Sequence, residues 1–184
     1  SSFFAADYSD YNKAKENYQT YIDVLDKVID KQKELTETMT GKDAVKASEK
    51  AIELIQKQAD AAKELGRMRL ESGAGLFSHS VGREITENMS SKGWIEAMQA
   101  IGKYQVEGLK SSSRMTGLFD LSVQQLEKLQ SEAPTFWAQL DGDVRDYLEQ
   151  IIASNEGIAE MKDLLKESLT GVSKSTLYKY LKEE

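Results

Sequence analysis

Residues 5–39, AADYSDYNKAKENYQTYIDVLDKVIDKQKELTETM, decide the fold class, because their apolar side chains recur with the period of a long helix. The main seam has two apolar positions per heptad and consists of Tyr8, Tyr11, Tyr18, Ile22, Leu25 and Ile29. Lys15 interrupts this seam. Further apolar residues widen the stripe beyond a strict coiled coil, namely Tyr21, Val28 and Leu35. A stripe of this width predicts a helix that packs within a bundle.

A second long helix is predicted to follow the turn TMTGKDAVKA at residues 38–47 and to end near Leu70. Thr40 and Asp43 have the spacing of a capping box. At about 1.5 Å per residue, the two helices would be roughly 50 and 45 Å long. Because similar lengths and a short turn favour antiparallel packing, we expect a coiled-coil-like helical hairpin. Its open side needs a further packing partner.

The remainder of the chain predicts shorter elements. Residues 71–90, ESGAGLFSHSVGREITENMS, interrupt the helical period and predict an irregular or β-hairpin-like linker. Residues 91–101 predict a short helix that ends at Gly102. The expected fold is therefore all-α, with a helical hairpin at 1–70, a linker at 71–90, a small helical cluster at 91–171 and a C-terminal tail at 172–184.

Within this cluster, residues 118–152 contain a well-specified helix start. Ser122 is a strong N-cap residue, and Gln125 occupies the reciprocal position of a capping box. Leu121 and Leu126 occupy the two positions of a hydrophobic staple, which packs one apolar residue before the cap against one in the helix. These residues predict a helix that begins just after Ser122.

A bend and a helix restart are predicted after that helix. Pro134 disfavours a helical conformation of the preceding residue and fits the first position of a short helix at 134–140. Asp141 or Asp143 is predicted to cap the last long helix. Its buried stripe is predicted to contain Val144, Tyr147, Leu148, Ile151, Ile158, Met161 and Leu165.

Composition excludes several kinds of site. The chain of 184 residues has no cysteine, so it can form no disulfide, cysteine–zinc site or thiol nucleophile. Its net charge of −7, spread along the chain, argues against nucleic-acid binding and against anionic membranes. No apolar run reaches the roughly 20 residues of a membrane span. Because the sequence begins without methionine, we expect a fragment of a longer protein.

Three groups of residues suggest chemistry, and each has a simpler explanation. His79 is the single histidine, which disfavours a histidine-based metal site or relay. Glu71–Ser72 resembles the catalytic pair of lytic transglycosylases, but the Gly-Leu-Met-Gln-type segment expected downstream in those enzymes is missing, and GLFSHSVG stands there instead. Asp141, Asp143 and Asp146 would suit a cation, but helix capping already accounts for aspartates there. We therefore expect no catalytic, cofactor-binding or metal-binding residue.

Aromatic residues suggest packing or protein contacts. Tyr8, Tyr11, Tyr18 and Tyr21 place four amphipathic rings on one helix, which suits either packing within the chain or contact with a partner. Both interpretations stay open from the sequence. Trp137 stands beside leucines at helical spacing, which favours the core over a ligand patch.

Residues 117–173 also carry a resemblance to phage and prophage tail tape measure proteins of Bacteroides-type hosts. Its marks are the Leu-Phe-Asp-Leu-Ser start, the Pro-x-x-Trp bend, the Leu-Asp-Gly-Asp-Val-Arg-x-Tyr-Leu turn and the Leu-Thr-Gly-Val-Ser end. The upstream element HSVGRE extends the resemblance to about residues 76–173. The last residues, KSTLYKYLKEE, depart from that family's pattern.

The resemblance implies a structural module of a much longer, largely helical protein that sets tail length during assembly. It implies location in the virion tail or, during assembly, in the bacterial cytoplasm, with self-association or other tail components as partners. The alternative is a general coiled-coil adaptor or scaffold in bacterial secretion or signalling. The residues expected to carry structure or interaction are Tyr8, Tyr11, Tyr18, Tyr21, Leu121, Ser122, Leu126, Pro134, Trp137, Asp141, Tyr147 and Ile151.

Overall fold

A computed structural model describes residues 2–74, 76–77, 93, 95–102 and 116–169, with the side chains of the first helix described from residue 10 onward. Its helices are α1 (Ser2–Thr38), α2 (Gly41–Arg69), α3 (residues 95–101), α4 (Val123–Glu132), α5 (Pro134–Gln139) and α6 (Gly142–Ser168). A π-helical turn (Leu70–Ala74) and a 3₁₀ turn (Thr116–Asp120) complete the described elements. The predicted all-α fold class is confirmed. None of the helices described here is long and apolar enough to cross a membrane.

The two long helices form the predicted antiparallel hairpin near their connecting turn. Gly41 begins α2 with φ of 61°, a left-handed conformation that glycine adopts without strain. Farther from the turn, the Tyr18 hydroxyl of α1 donates to the backbone carbonyl oxygen of Gln58 in α2 at 3.4 Å. The Gln58 side chain in turn donates to Asp26 of α1 at 2.8 Å. These cross-helix contacts pair the middle of α1 with the middle of α2.

The first part of the predicted linker is more ordered than expected. Residues 71–74 continue α2 as a π-helical turn, so helical structure extends past the predicted end near Leu70. Phe77 then forms an isolated antiparallel β-bridge with Leu140, and the described residues contain no longer strand. The bridge brings the start of the linker to the bend that precedes α6. Residues 78–90 and the tail at 172–184 lie outside the described residues.

Two compact units make up the chain, and each combines separate parts of the sequence. Unit 1 consists of Ser1–Asn17 and Asp60–Ile152, and unit 2 of Tyr18–Ala59 and Ala153–Glu184. The predicted organisation used consecutive ranges instead. Consequently α1, α2 and α6 each supply residues to both units.

Unit 2 has an apolar core supplied by three helices. Its buried residues are Leu25, Ile29, Ala51, Leu54, Ile55 and Met161. A smaller cluster contains Ala44, Leu165 and Leu169. The Ser48 hydroxyl donates to the Met161 carbonyl oxygen at 3.3 Å, which ties α2 to α6. The packing partner that the hairpin needed is therefore the second half of α6.

Unit 1 contains a close approach between α2 and the 3₁₀ turn. A Cβ atom at Gly66 would lie 2.0 Å from the Phe119 ring, so only glycine admits the ring at this distance. Phe119 is fully buried. Next to this contact, Arg67 pairs with Asp120 at 2.8 Å. The missing side chain at Gly66 thus lets the turn dock against the helix.

The segment from Ser122 to α6 forms as the sequence predicts. The Ser122 hydroxyl accepts from the Gln125 amide at 3.2 Å, and the Ser122 amide donates to the Gln125 side chain at 2.8 Å. Leu121 and Leu126, at the staple positions, are both buried. Pro134 is the first residue of α5. The preceding Ala133 has a non-helical backbone, so the chain breaks between α4 and α5 as predicted.

Candidate functional site

The described residues with the densest polar contacts lie where α6 begins. We name them the tyrosine–aspartate cluster, which consists of Tyr11, Lys15, Arg69, Asp141, Asp143 and Tyr147. All six belong to unit 1. They come from α1, α2 and the start of α6, so the cluster joins three helices.

Asp141 caps α6, which resolves the predicted choice between two aspartates. Its Oδ1 accepts from the backbone amides of Asp143 at 3.1 Å and Val144 at 3.2 Å. Its own amide donates to the Leu76 carbonyl oxygen at 2.7 Å. A carboxylate at this position satisfies amides that the helix leaves unpaired and matches the positive end of the helix dipole.

Arg69, near the end of α2, neutralises this buried cap. Its Nε donates to Asp141 Oδ1 at 3.1 Å and its NH2 to Oδ2 at 3.0 Å, which is a bidentate pair. The side chains of Arg69 and Asp141 are 11% and 7% exposed. The guanidinium carbon also lies 5.2 Å from the centroid of the Tyr11 ring, within the range of a cation–π contact. Arg69 therefore holds α2 against both α1 and the start of α6.

Asp143 receives the groups that α1 contributes. The Tyr11 hydroxyl donates to Asp143 Oδ2 at 2.5 Å, and Lys15 Nζ lies 3.0 Å and 3.1 Å from its two carboxylate oxygens. The Tyr11 hydroxyl also lies 2.8 Å from the hydroxyl of Tyr147, one helical turn along α6. Arg69 adds a more distant ion pair with Asp143 at 3.8 Å. Two residues of α1 thus bind one carboxylate of α6.

These surroundings shift the pKa values of three cluster residues. Burial, followed by the hydrogen bond to Asp143, raises the pKa of Tyr11 far above its ordinary value. Burial also raises the pKa of Tyr147 to about 12, with the Asp143 charge adding to the rise and the Tyr11 hydrogen bond opposing it. Burial alone would raise the pKa of Asp143, but the hydrogen bonds from Tyr11 and Lys15 outweigh it and lower that pKa.

The charge states that follow suit a structural contact. Both phenols stay neutral, and Tyr11 donates a hydrogen bond to Asp143, which stays ionised and accepts it. A nucleophile or general base would instead need a phenol or carboxyl pKa near the working pH. Arg69 and Lys15 balance the two carboxylates. The chemistry of the cluster is therefore that of a polar clamp between helices.

Other residues singled out for chemistry have local structural contacts. The Ser72 hydroxyl donates to the Arg69 carbonyl oxygen at 2.7 Å, and Glu71 is exposed on the π-helical turn. In the described ranges, no group of three or more histidine, cysteine or acidic side chains is placed to hold a metal ion. Asp146 is exposed, and partial desolvation together with the Glu149 charge raises its pKa. His79 lies outside the described residues.

The structure separates the three tyrosines of α1 whose side chains it describes. Tyr11 is 1% exposed and Tyr18 is partly buried, so both rings turn toward the rest of the chain. Tyr21 is 40% exposed and faces solvent. The side chain of Tyr8 is not among those described. Tyr11 and Tyr18 therefore do not share an exposed surface with Tyr21.

The other predicted structural residues lie in unit 1. Trp137 is buried and its indole nitrogen donates to Glu149 on α6 at 3.2 Å. Tyr147 and Ile151 are buried on α6 one turn apart, as the helical stripe predicts. Trp137 therefore packs α5 against α6.

Sequence reasoning missed Arg69 and the role of Lys15. Lys15 did interrupt an otherwise apolar seam, which is a signal that an acidic residue faces it. Arg69 had only a weak signal, since basic residues are common in the last turn of a helix.

Searches against protein-family models, curated proteins and solved structures found no match to this chain.

Proposed function

We propose that this chain is a structural and interaction module of a phage or prophage tail tape measure protein. In this role it contributes to tail assembly and length determination and catalyses no reaction. Its place is the virion tail or, during assembly, the bacterial cytoplasm. Its partners are other copies or other tail components.

The observation that carries the proposal is the overlap between the resemblance and the clamp. The turn Leu-Asp-Gly-Asp-Val-Arg-x-Tyr-Leu supplies Asp141, Asp143 and Tyr147, which are half of the tyrosine–aspartate cluster. The Pro-x-x-Trp bend supplies Pro134 and Trp137, which set the entry into α6. The residues that mark the resemblance therefore hold helices together, as a structural module requires.

Helix geometry supports a role in length determination. A helix rises by about 1.5 Å per residue, so helix length converts residue number into distance. The 37 residues of α1 correspond to about 55 Å. The whole chain of 184 residues could add at most about 280 Å as a single helix. It would therefore be one module of a longer ruler.

Gene context and tail length test this proposal. We expect the chain to be encoded within a long reading frame beside tail-tube and tail-chaperone genes, whereas an isolated short gene would contradict a tail role. In that reading frame, an in-frame deletion of the chain should shorten tails in electron micrographs by no more than about 280 Å. Particles with unchanged tail length would refute a part in length determination.

A second candidate function is a coiled-coil adaptor or scaffold in bacterial secretion or signalling. The observation that favours it is an exposed apolar face on α1 that includes Tyr21, Val24 and Val28. Because Tyr11 and Tyr18 turn inward, an adaptor surface would use this face and not the whole tyrosine series. A gene neighbourhood of secretion or signalling components would select this candidate.

A further inference from the structure

In the part of the chain that the structure describes, four large apolar side chains are exposed, and three of them lie on α1. They are Tyr21, Val24 and Val28, with exposed fractions of 40%, 56% and 37%. Spacings of three and four residues place them on one face of the helix, which we name the outer stripe. The same spacing continues to the partly buried Leu35.

The outer stripe differs from the face of α1 that packs in unit 2. Leu25 and Ile29 fill the core there, and each follows a valine of the outer stripe by one residue. One residue corresponds to about 100° around a helix, so α1 has two adjacent apolar faces. The inner one packs against the rest of unit 2, and the outer one faces solvent.

Local helix preference does not account for the outer stripe. Valine loses side-chain freedom in a helix and is a poorer helix former than lysine, glutamate or alanine. Val24 and Val28 bear this loss while 56% and 37% of their surface stays exposed, so only part of each side chain is buried in return. Burial against another helix would compensate for it.

Charges beside the outer stripe favour a second copy of α1 as its packing partner, in the antiparallel direction. Lys27 and Glu34 are exposed and lie seven residues apart, on the edge of the stripe away from the packed face. In an antiparallel pair of identical helices this edge meets its own copy, so Lys27 of each copy can face Glu34 of the other. In a parallel pair, Lys27 would meet the uncharged edge near Gln32.

We propose that the outer stripe is a self-association surface on which a second copy of this chain packs its α1 in the antiparallel direction. Val24 of one copy then lies beside Leu35 of the other, and Val28 lies beside the methylene stem of Lys31. Two Lys27–Glu34 pairs lie along one edge of this apolar strip. A C2 arrangement of this kind buries the same patch on both copies.

The size of the patch predicts a weak dimer. Stable interfaces bury about 800 Å² on each partner, and three partly exposed side chains with their flanking stems supply less than that. We therefore expect a dissociation constant of roughly 10–100 µM. The gene-context and tail-length experiments test the tail role, whereas self-association of the isolated chain tests this surface, so either can fail without the other.

Sedimentation equilibrium of the full chain tests the apolar part of the proposal. Wild type should convert from monomer to dimer across the micromolar range, and Val24→Lys/Val28→Lys should stay monomeric. Ile95→Lys is the matched control, since Ile95 is 58% exposed but lies on α3, and its dimerisation should equal that of wild type. Far-ultraviolet circular dichroism checks that each variant keeps its helices. A monomeric wild type, or a valine variant that still dimerises, overturns the proposal.

A charge-reversal cycle tests the direction of packing. Lys27→Glu and Glu34→Lys should each weaken dimerisation about tenfold, because each change turns two attractive pairs into repulsive ones. The double variant restores both pairs with reversed sign and should recover the wild-type dissociation constant. Additive weakening in the double variant would refute the antiparallel arrangement.

Discussion

Replacing Tyr11 by phenylalanine tests the tyrosine–aspartate cluster most directly, because it removes one oxygen atom and keeps the buried ring. The lost hydroxyl donates to the ionised Asp143 at 2.5 Å and lies 2.8 Å from the Tyr147 hydroxyl. A hydrogen bond to a charged group contributes about 1.5–3 kcal/mol, and one between neutral groups about 0.5–1.5 kcal/mol. Lys15 still pairs with Asp143 in the variant and offsets part of the loss.

We therefore expect Tyr11→Phe to lower the free energy of unfolding of unit 1 by about 2–3 kcal/mol. Urea denaturation followed by tryptophan fluorescence measures this value, because Trp137 is buried in unit 1. Hydrogen exchange locates the effect, and faster exchange should appear in α1 near Tyr11 and in the first turns of α6. Exchange in the core of unit 2 should change less.

Tyr21→Phe is the matched control, since it makes the same chemical change on the same helix at a residue that is 40% exposed. Its cost should stay within about 0.5 kcal/mol. Asp143→Asn combined with Tyr11→Phe should show a coupling energy of about 1–2 kcal/mol in a double-mutant cycle. Equal effects of the two tyrosine substitutions, or strictly additive effects in the cycle, would show that the hydroxyl is not part of a clamp.

Three further predictions concern unit 1. Gly66→Ala should destabilise unit 1 by about 3 kcal/mol or more, because the new Cβ would overlap the buried Phe119 ring, and the better helix propensity of alanine does not offset this. Gly142→Ala is the control, since no atom lies within 4 Å of its new Cβ, and it should change the free energy of unfolding by less than about 1 kcal/mol in urea titrations. Ser122→Ala should cost about 1 kcal/mol by breaking the capping box, and an unchanged urea midpoint would argue against the cap. Burial raises the pKa of Tyr147 to about 12 and that of Tyr11 above its ordinary 10.0, so their stability contribution is complete below pH 10 and falls as the pH rises toward 12. Urea midpoints measured between pH 10 and about 12 should fall less steeply with pH in Tyr147→Phe than in wild type. Equal slopes in the two proteins would contradict a raised pKa of Tyr147.

Helices and their ends could be predicted from the sequence because they depend on neighbours within a few residues. The apolar period of residues 5–39 predicted a helix that the structure has at Ser2–Thr38. The capping pair Ser122 and Gln125 and the first helical position of Pro134 are likewise local, and the structure confirms all three.

The partners within the clamp could not be predicted in this way. Tyr11 and Asp143 are separated by 132 positions, and Arg69 and Asp141 by 72. No spacing rule connects residues so far apart, and a tyrosine that packs inside looks the same in the sequence as one that faces solvent. Only the packing of α1 and α2 against the start of α6 determined that Tyr11 is buried.

The sequence by itself thus determined that this protein is a set of long and short helices with a specified bend before α6, because helix period, caps and proline geometry act over short distances. The tertiary structure decided which polar residues meet and which apolar face stays open, because burial and ion pairing depend on contacts between distant segments. It also decided that each unit combines separate segments of the chain. Asp141 shows both levels, as one of the two caps that local sequence offers and as a partner of Arg69 that only the fold supplies.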